Sequence, residues 1–372
     1  MTAIELRDFR LGDASFAATG PAAVGVRLEA GATQGTWTSP WHEPGFPFTR
    51  LTPSWNAETP VGTWMSLTVQ ARRASGGETR WWTFGAWAAG DETVTRRSVA
   101  AKRDADGAVD TDTLSASVPF VAYRVRATLE RHAGVLESAV LRLVTVSVSE
   151  LAISVGSIPS PAGPGVGIDL DVPSYSQEIH AGEYPRYAGG GEAWCSPTST
   201  AMVLAFWGKG PTAADMSWID TRYADPQVIH AARHTYDGAY EGTGNWPFNT
   251  AYAATFGLRA FVTQLRSLAE AERFIAAGIP LIASVKVAPG ALPGFLLPQG
   301  SSGHLLVIRG FTAAGDVISN DPAATDNATV RRVYPRAAFE TAWLGGSQGT
   351  VYVIHPPSTP LPPRVEGAPA SW

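Results

Sequence analysis

The sequence predicts an α+β chain in two parts. Residues 1–155 read as an antiparallel, jelly-roll-like β-sandwich, and residues 168–356 as a domain that mixes helices and strands. Three observations carry this reading. Residues alternate apolar and polar with a period of two in the first part, a run rich in proline and glycine follows, and helix-start signals then interleave with short apolar runs.

The first part shows the alternation three times. Met65, Leu67, Val69 and Ala71 alternate with Ser66, Thr68 and Gln70. Tyr123, Val125, Ala127 and Leu129 alternate with Arg124, Arg126, Thr128 and Glu130, and Val144, Val146 and Val148 with Thr145, Ser147 and Ser149. Strands of this kind bury one face and wet the other, and the turn formers between them point to a sandwich. Residues 156–167 hold the breakers Gly156, Pro159, Pro161, Gly163, Pro164 and Gly165. They read as a linker between two separable pieces, open to proteolysis between Gly156 and Val166.

Beyond Ile168, Ser196 and Pro197 read as the N-cap and first residue of a helix that runs to about Trp207 and ends at Gly208. Ser267 and Glu270 form a capping-box pattern for a helix ending at Gly278. The apolar runs Pro280 to Val287, His304 to Phe311, Val317 to Ser319 and Val351 to Ile354 read as strands of one sheet. Residues 357–372 form a Pro-rich tail expected to be disordered.

Composition bounds the function. The chain has 372 residues, 45% of them hydrophobic and 16% charged, so a substantial core can form. A net charge of −5 argues against a broad nucleic-acid surface. The single cysteine excludes an internal disulfide framework and a Cys-rich zinc site. The start lacks an apolar signal region and no stretch is long enough for a membrane span. The expected location is therefore cytoplasmic as the sequence is written, or extracellular if the true start lies upstream.

Cys195 stands at the start of the expected helix. Unpaired N–H groups and the positive end of the helix dipole favour thiolate there; the alternative is a buried cysteine packed beside Trp194. His304 opens the apolar run that follows Gly303, and a hairpin through Ala313-Ala314-Gly315-Asp316 would return Asp321 beside it. A carboxylate so placed orients an imidazole that serves a nucleophile. Taken singly, Asp321-Pro322 reads as a turn and His304 as a strand-edge residue.

The order of these motifs resembles the C39-like cysteine peptidases, a papain-fold family. The resemblance covers roughly residues 168–355. It rests on Asp171-Val172-Pro173-Ser174-Tyr175-Ser176-Gln177, Trp194-Cys195-Ser196-Pro197-Thr198-Ser199, Gly303-His304-Leu305-Leu306-Val307-Ile308 and Asn320-Asp321-Pro322. It implies that Cys195 is the nucleophile, His304 the general base and acid, and Asp321 its orienter. Gln177 and the Cys195 N–H would form the oxyanion hole. Many relatives have Gly where this chain has Ser196, a change expected to reshape one side of the cleft. The stretch Gly242 to Thr250 reads either as a cleft-wall loop or as a helix entry with Trp246 and Phe248 packed inward. Trp194, Asn245 and Trp246 are the expected substrate-binding residues.

The function so implied is a cysteine peptidase or amidase acting on a peptide or protein through an acyl-thioester on Cys195. The alternatives are a non-catalytic peptide- or cell-wall-binding protein on the same scaffold, and an acyltransferase. No cofactor is implied: His230 and His234 have helical spacing but lack the Glu of a zinc-protease helix. Arg96 and Arg97 read as a solvated pair. Trp37, Trp41, Trp55, Trp64, Trp81, Trp82 and Trp87 suggest either core filling or a carbohydrate or cell-wall ligand on the N-terminal part.

Overall fold

The computed structural model describes residues 3–99, 102–150 and 158–372, and shows a mixed α/β architecture of mostly antiparallel sheets with few helices. Gly156 and Ser157, with which the expected linker begins, lie outside the described residues.

The N-terminal half joins twelve described strands in one hydrogen-bonded network. Four long strands organise it: β1 (Phe48–Glu58), β2 (Thr63–Arg73), β3 (Thr113–Arg131) and β4 (Val140–Ser149). β3 pairs with β1 through Leu114 to Phe120, then with β2 through Phe120 to Arg131, so it passes from one partner to the other along its length. The alternating apolar residues expected to be inward, Met65 to Ala71 and Tyr123 to Leu129, are buried. Trp37, Trp55, Trp82 and Trp87 are core residues as well. Trp41 lies 4.0 Å from the Arg72 guanidinium, and Trp81 4.0 Å from that of Arg126. Core filling and arginine stacking thus account for six of the seven tryptophans that suggested a sugar ligand.

The second sheet has six strands: β5 (Arg259–Gln264), β6 (Leu281–Val287), β7 (Ser301–Phe311), β8 (Val317–Asn320), β9 (Arg331–Tyr334) and β10 (Thr350–His355). Their order is β5-β10-β6-β7-β8-β9, every pair antiparallel. The helices are α1 (Cys195–Phe206), α2 (Pro226–Thr235), α3 (Trp246–Ala254), α4 (Leu268–Ala276) and α5 (Arg336–Ser347). Both sheet faces are covered, which explains why the strands read as continuous apolar runs. Ile282, Leu305, Val307, Tyr352 and Ile354 face a core with α1 and α3, whereas Leu281, Ala283, Leu306, Ile308 and Val353 face one with α4 and α5.

The first of these cores is shared. Trp55 and Trp87 of the N-terminal half meet Phe248 of α3 at ring distances of 6.1 and 5.4 Å. Asn56 Nδ2 donates to the Ala260 carbonyl at 2.7 Å, and the Val262 N–H to Ser54 Oγ at 3.0 Å. Arg96 is not solvated. Its guanidinium is buried and donates to the carbonyls of Ala88, Gly90 and Arg233. The described linker residues are held too: Ser160 N–H donates to Glu340 and Gly163 N–H to Glu272. The two parts thus meet through packed and hydrogen-bonded contacts.

The tail is packed, contrary to the expectation of disorder. Trp372 is buried against Phe274, its Nε1 donates to the Pro362 carbonyl at 2.8 Å, and the Leu6 N–H donates to the Ala370 carbonyl at 2.7 Å. Proline removes donors but leaves acceptors, and Arg266 and Trp372 use those carbonyls. No described helix is long and apolar enough to cross a membrane.

Candidate active site

Cys195 is the first residue of α1, with Trp194 at the N-cap position. The helix begins two residues earlier than the Ser-Pro signal suggested. Ser196 does not cap it; its hydroxyl is buried in a 2.9 Å hydrogen bond with the Tyr352 hydroxyl on β10. The departure at Ser196 thus faces the sheet and not the cleft. Ser199 Oγ donates to the Leu305 carbonyl, which ties α1 to β7 beside His304. As the leading residue of a helix, Cys195 presents an N–H with no intrahelical acceptor.

His304 lies on β7, paired with Val285 of β6. β8 returns antiparallel, with Val307 opposite Asn320, and Asp321 follows at once. His304 Nε2 and Asp321 Oδ1 are 2.7 Å apart. This leaves the Nδ1 edge of the ring for the Cys195 thiol, which lines the same cleft and acts on the charge of His304. Burial opposes charge on His304. The Asp321 charge and hydrogen bond, then the influence of Cys195, overcome it and hold the imidazolium up to about 10. Asp321 is fully buried. Burial would raise its pKa, but the His304 charge and hydrogen bond, with those from Tyr334 and the Ala323 N–H, keep it below the usual carboxylate range.

Two neighbours of this pair were not anticipated. Tyr334 on β9 donates to Asp321 Oδ2 at 2.6 Å. The Phe295 ring stands edge-on to His304 at 5.6 Å. Tyr334 belongs to a short strand that the sequence reading passed over, although Val333-Tyr334 carries β-forming residues. Phe295 sits in a loop, where periodicity carries no signal.

Gln177 enters on an extended segment strapped to the Asp321 region. Asn320 Nδ2 donates to the Val172 and Pro173 carbonyls at 3.1 and 3.0 Å, and the Gln177 N–H to the Pro322 carbonyl at 2.9 Å. The Gln177 side chain lines the same cleft as Cys195. Its Nε2 donates to the Glu192 carbonyl at 2.8 Å and to Glu178 Oε1 at 3.0 Å, while its Oε1 is buried without a partner. Gly191 permits this approach, because a Cβ there would lie 2.2 Å from the Gln177 carbonyl oxygen.

The cleft has a volume of about 500 Å³. Cys195, His304 and Gln177 meet in it with Trp246, Tyr240, Lys286 and Arg50. The stretch from Gly242 to Thr250 serves in both ways that its sequence suggested: Gly242, Thr243 and Gly244 line the cleft, and α3 starts at Trp246. Of the three expected substrate-binding residues, Trp246 reaches the cleft. Trp194 is fully buried and donates from Nε1 to the Tyr187 carbonyl at 2.7 Å. Asn245 is buried too; it caps α3 through the Phe248 N–H and donates to Asp237 Oδ2 at 2.9 Å. Both support the cleft walls and neither lines it.

The His230 and His234 rings stack at 4.0 Å, with Tyr252 and the Ala89 carbonyl as partners. Burial pushes His230 down to about 3 and His234 down to about 4. Among the described residues, no group of three or more His, Cys, Asp or Glu could hold a metal ion.

Residues 14–149 match the model of the peptidase C39 N-terminal domain, and residues 169–351 that of the peptidase C39-like family. No curated protein matches. Among solved structures, a candidate C39-like peptidase from Bacillus anthracis is 16% identical, with a TM-score of 0.33, over 50% of this chain and 96% of its own. A structure of infectious bursal disease virus, Gt strain, is 11% identical, with a TM-score of 0.23, over 39% of this chain and 32% of its own. The CBM22-1–GH10 modules of Clostridium thermocellum endo-1,4-β-D-xylanase 10B, complexed with xylohexaose, are 10% identical, with a TM-score of 0.17, over 47% of this chain and 28% of theirs. The thiol, imidazole and carboxylate stand within the matched C-terminal segment, and the chain belongs to the C39-like peptidase family.

Proposed function

We propose that the protein is a cysteine peptidase or amidase that hydrolyses a peptide-type amide through an acyl-thioester on Cys195. The observation that carries this reading is the line of Cys195, His304 and Asp321 at one wall of an open cleft, with His304 and Asp321 2.7 Å apart. Cys195 Sγ attacks the scissile carbonyl carbon, and the carbonyl π electrons move to oxygen. The Cys195 N–H stabilises that oxyanion. Gln177 adds a second donor when the substrate oxygen replaces Glu178 as acceptor of one Nε2 hydrogen. As the tetrahedral intermediate collapses, the C–N bond breaks and His304 protonates the leaving amine. Water then attacks the thioester and gives a proton to His304. The acid leaves, and the thiolate–imidazolium pair returns.

The fold reading goes with it. Residues 168–356 are proposed as a papain-like domain, and residues 1–155 as a jelly-roll-like sandwich in which β3 connects the layers. The family matches on either side of residues 156–167 support that division. The test is labelling with an activity-based thiol probe, mapping of the labelled residue, and a peptide-library cleavage profile. Labelling at Cys195 with discrete cleavage sites is expected. Absence of cleavage by a folded, labelled protein overturns the hydrolase reading.

A further inference from the structure

Arg50 reaches the cleft from the N-terminal half. It lies near the start of β1, between its register partners Ser115 on β3 and Ser149 on β4. Its guanidinium stands 5.7 Å from the Trp246 ring, and both side chains line the cleft that holds Cys195 and His304.

The buried arginines near the sheets have acceptors for their guanidinium groups, although the Nε of Arg96 is unpaired. Arg96 donates to carbonyls, Arg309 pairs with Asp169 at 2.6 Å, and Arg336 pairs with Glu272 at 2.6 Å. Among the described residues, Arg50 has no ion pair within 4.0 Å and no side-chain hydrogen bond, and its Nε is buried without a partner. Asp112 is the carboxylate that acts on it through space, but its oxygens are engaged: Oδ2 accepts from the Trp246 N–H and Oδ1 from the Thr113 hydroxyl. Apart from the Cys195–His304 pair, the other charged groups on the cleft, Lys286, Glu192 and Glu241, are exposed. A desolvated cation needs an anion or full hydrogen bonding. Arginine matches a carboxylate with two parallel donors.

We infer that Arg50 is a specificity-determining residue that binds a carboxylate of the peptide substrate, so that the N-terminal half completes the substrate pocket. This rests on the peptidase reading in that it assigns the anion to a peptide. The carboxylate comes either from an Asp or Glu side chain near the scissile bond or from a peptide C-terminus.

Alkylation of Cys195 by paired probes tests this without turnover. In each probe the thiolate displaces bromide, forming a C–S bond. Bromoacetyl-Gly-Glu-amide against bromoacetyl-Gly-Gln-amide reads a side-chain carboxylate; bromoacetyl-Gly-Gly acid against its amide reads a terminal one. In wild type, the acidic member of at least one pair is expected to react about tenfold faster, with the advantage falling as salt rises. Arg50→Gln should bring that ratio near one, and Arg50→Lys should restore part of it. Equal rates in both wild-type pairs, no labelling by either pair, or a preference that survives Arg50→Gln overturns the inference. A preserved acidic preference in a protein that cleaves no peptide sinks the peptidase reading and leaves the anion site standing.

Discussion

Tyr334 donates a 2.6 Å hydrogen bond to Oδ2 of Asp321, the carboxylate oxygen that His304 leaves free. The carboxylate is thus held from both sides, by an imidazole on one oxygen and a phenol on the other. A buried anion without both partners would be costly, so the phenol helps to keep the orienting group charged and fixed.

Tyr334→Phe removes that donor and leaves Oδ2 short of a partner. The expected cost is about 1–3 kcal/mol of stability. The Asp321 pKa should rise, moving the acid limb of the pH–rate profile upward. Denaturation with urea and a pH–rate profile check this. A variant with wild-type stability and profile would show that the contact is idle.

The raised pKa of His304, about 10, sets the alkaline behaviour. The folded value lies above the ordinary histidine value of 6.5. Its contribution to stability is therefore complete below pH 6.5 and lost as pH rises through about 10. Turnover needs the imidazolium to protonate the leaving amine, so kcat/KM should fall near pH 10. A fall centred near pH 6.5 would contradict the ion pair. For Asp321, held low, the contribution is present above the ordinary carboxylate value of 3.8 and lost on acidification through the folded pKa.

Cys195→Ala should abolish turnover with the fold intact, as read by circular dichroism. His304→Ala should stop turnover and slow iodoacetamide alkylation of Cys195 near neutral pH, because the cationic partner is gone. Asp321→Asn should reduce turnover with less effect on alkylation. Normal turnover by His304→Ala would refute the assignment.

Gln177→Ala separates the oxyanion role from scaffolding. Loss of one donor should lower kcat by on the order of 10²–10³. Alkylation forms no tetrahedral oxyanion and should stay near wild type. If neither rate changes, the second donor lies elsewhere.

The core shared by the two halves predicts that they unfold together. Calorimetry of the full chain should show a single transition, which Asn56→Ala lowers, because that change removes a hydrogen bond to the Ala260 carbonyl. Two well-separated transitions would restore the picture of independent domains.

Local patterning alone determined several elements. The alternation from Met65 to Ala71 and from Tyr123 to Leu129 marked strands, and Ser267 marked the start of α4, where its hydroxyl accepts from the Glu270 N–H. The spacing from His304 through the Gly315 turn to Asp321 marked a hairpin that returns the carboxylate to the ring. These signals act over a few residues, within reach of backbone geometry. α5 was missed although Phe339, Ala342 and Trp343 have helical spacing and are buried. Only the tertiary structure decided which surfaces meet. It put Arg50 of β1 over Trp246, brought Tyr334 to Asp321, made Trp194 and Asn245 supports, and folded the Pro-rich tail back so that Trp372 packs on Phe274. Such contacts join residues far apart in the chain. They follow from burying whole faces of sheets and helices together, a collective balance of area and hydrogen bonding that no local window of sequence contains.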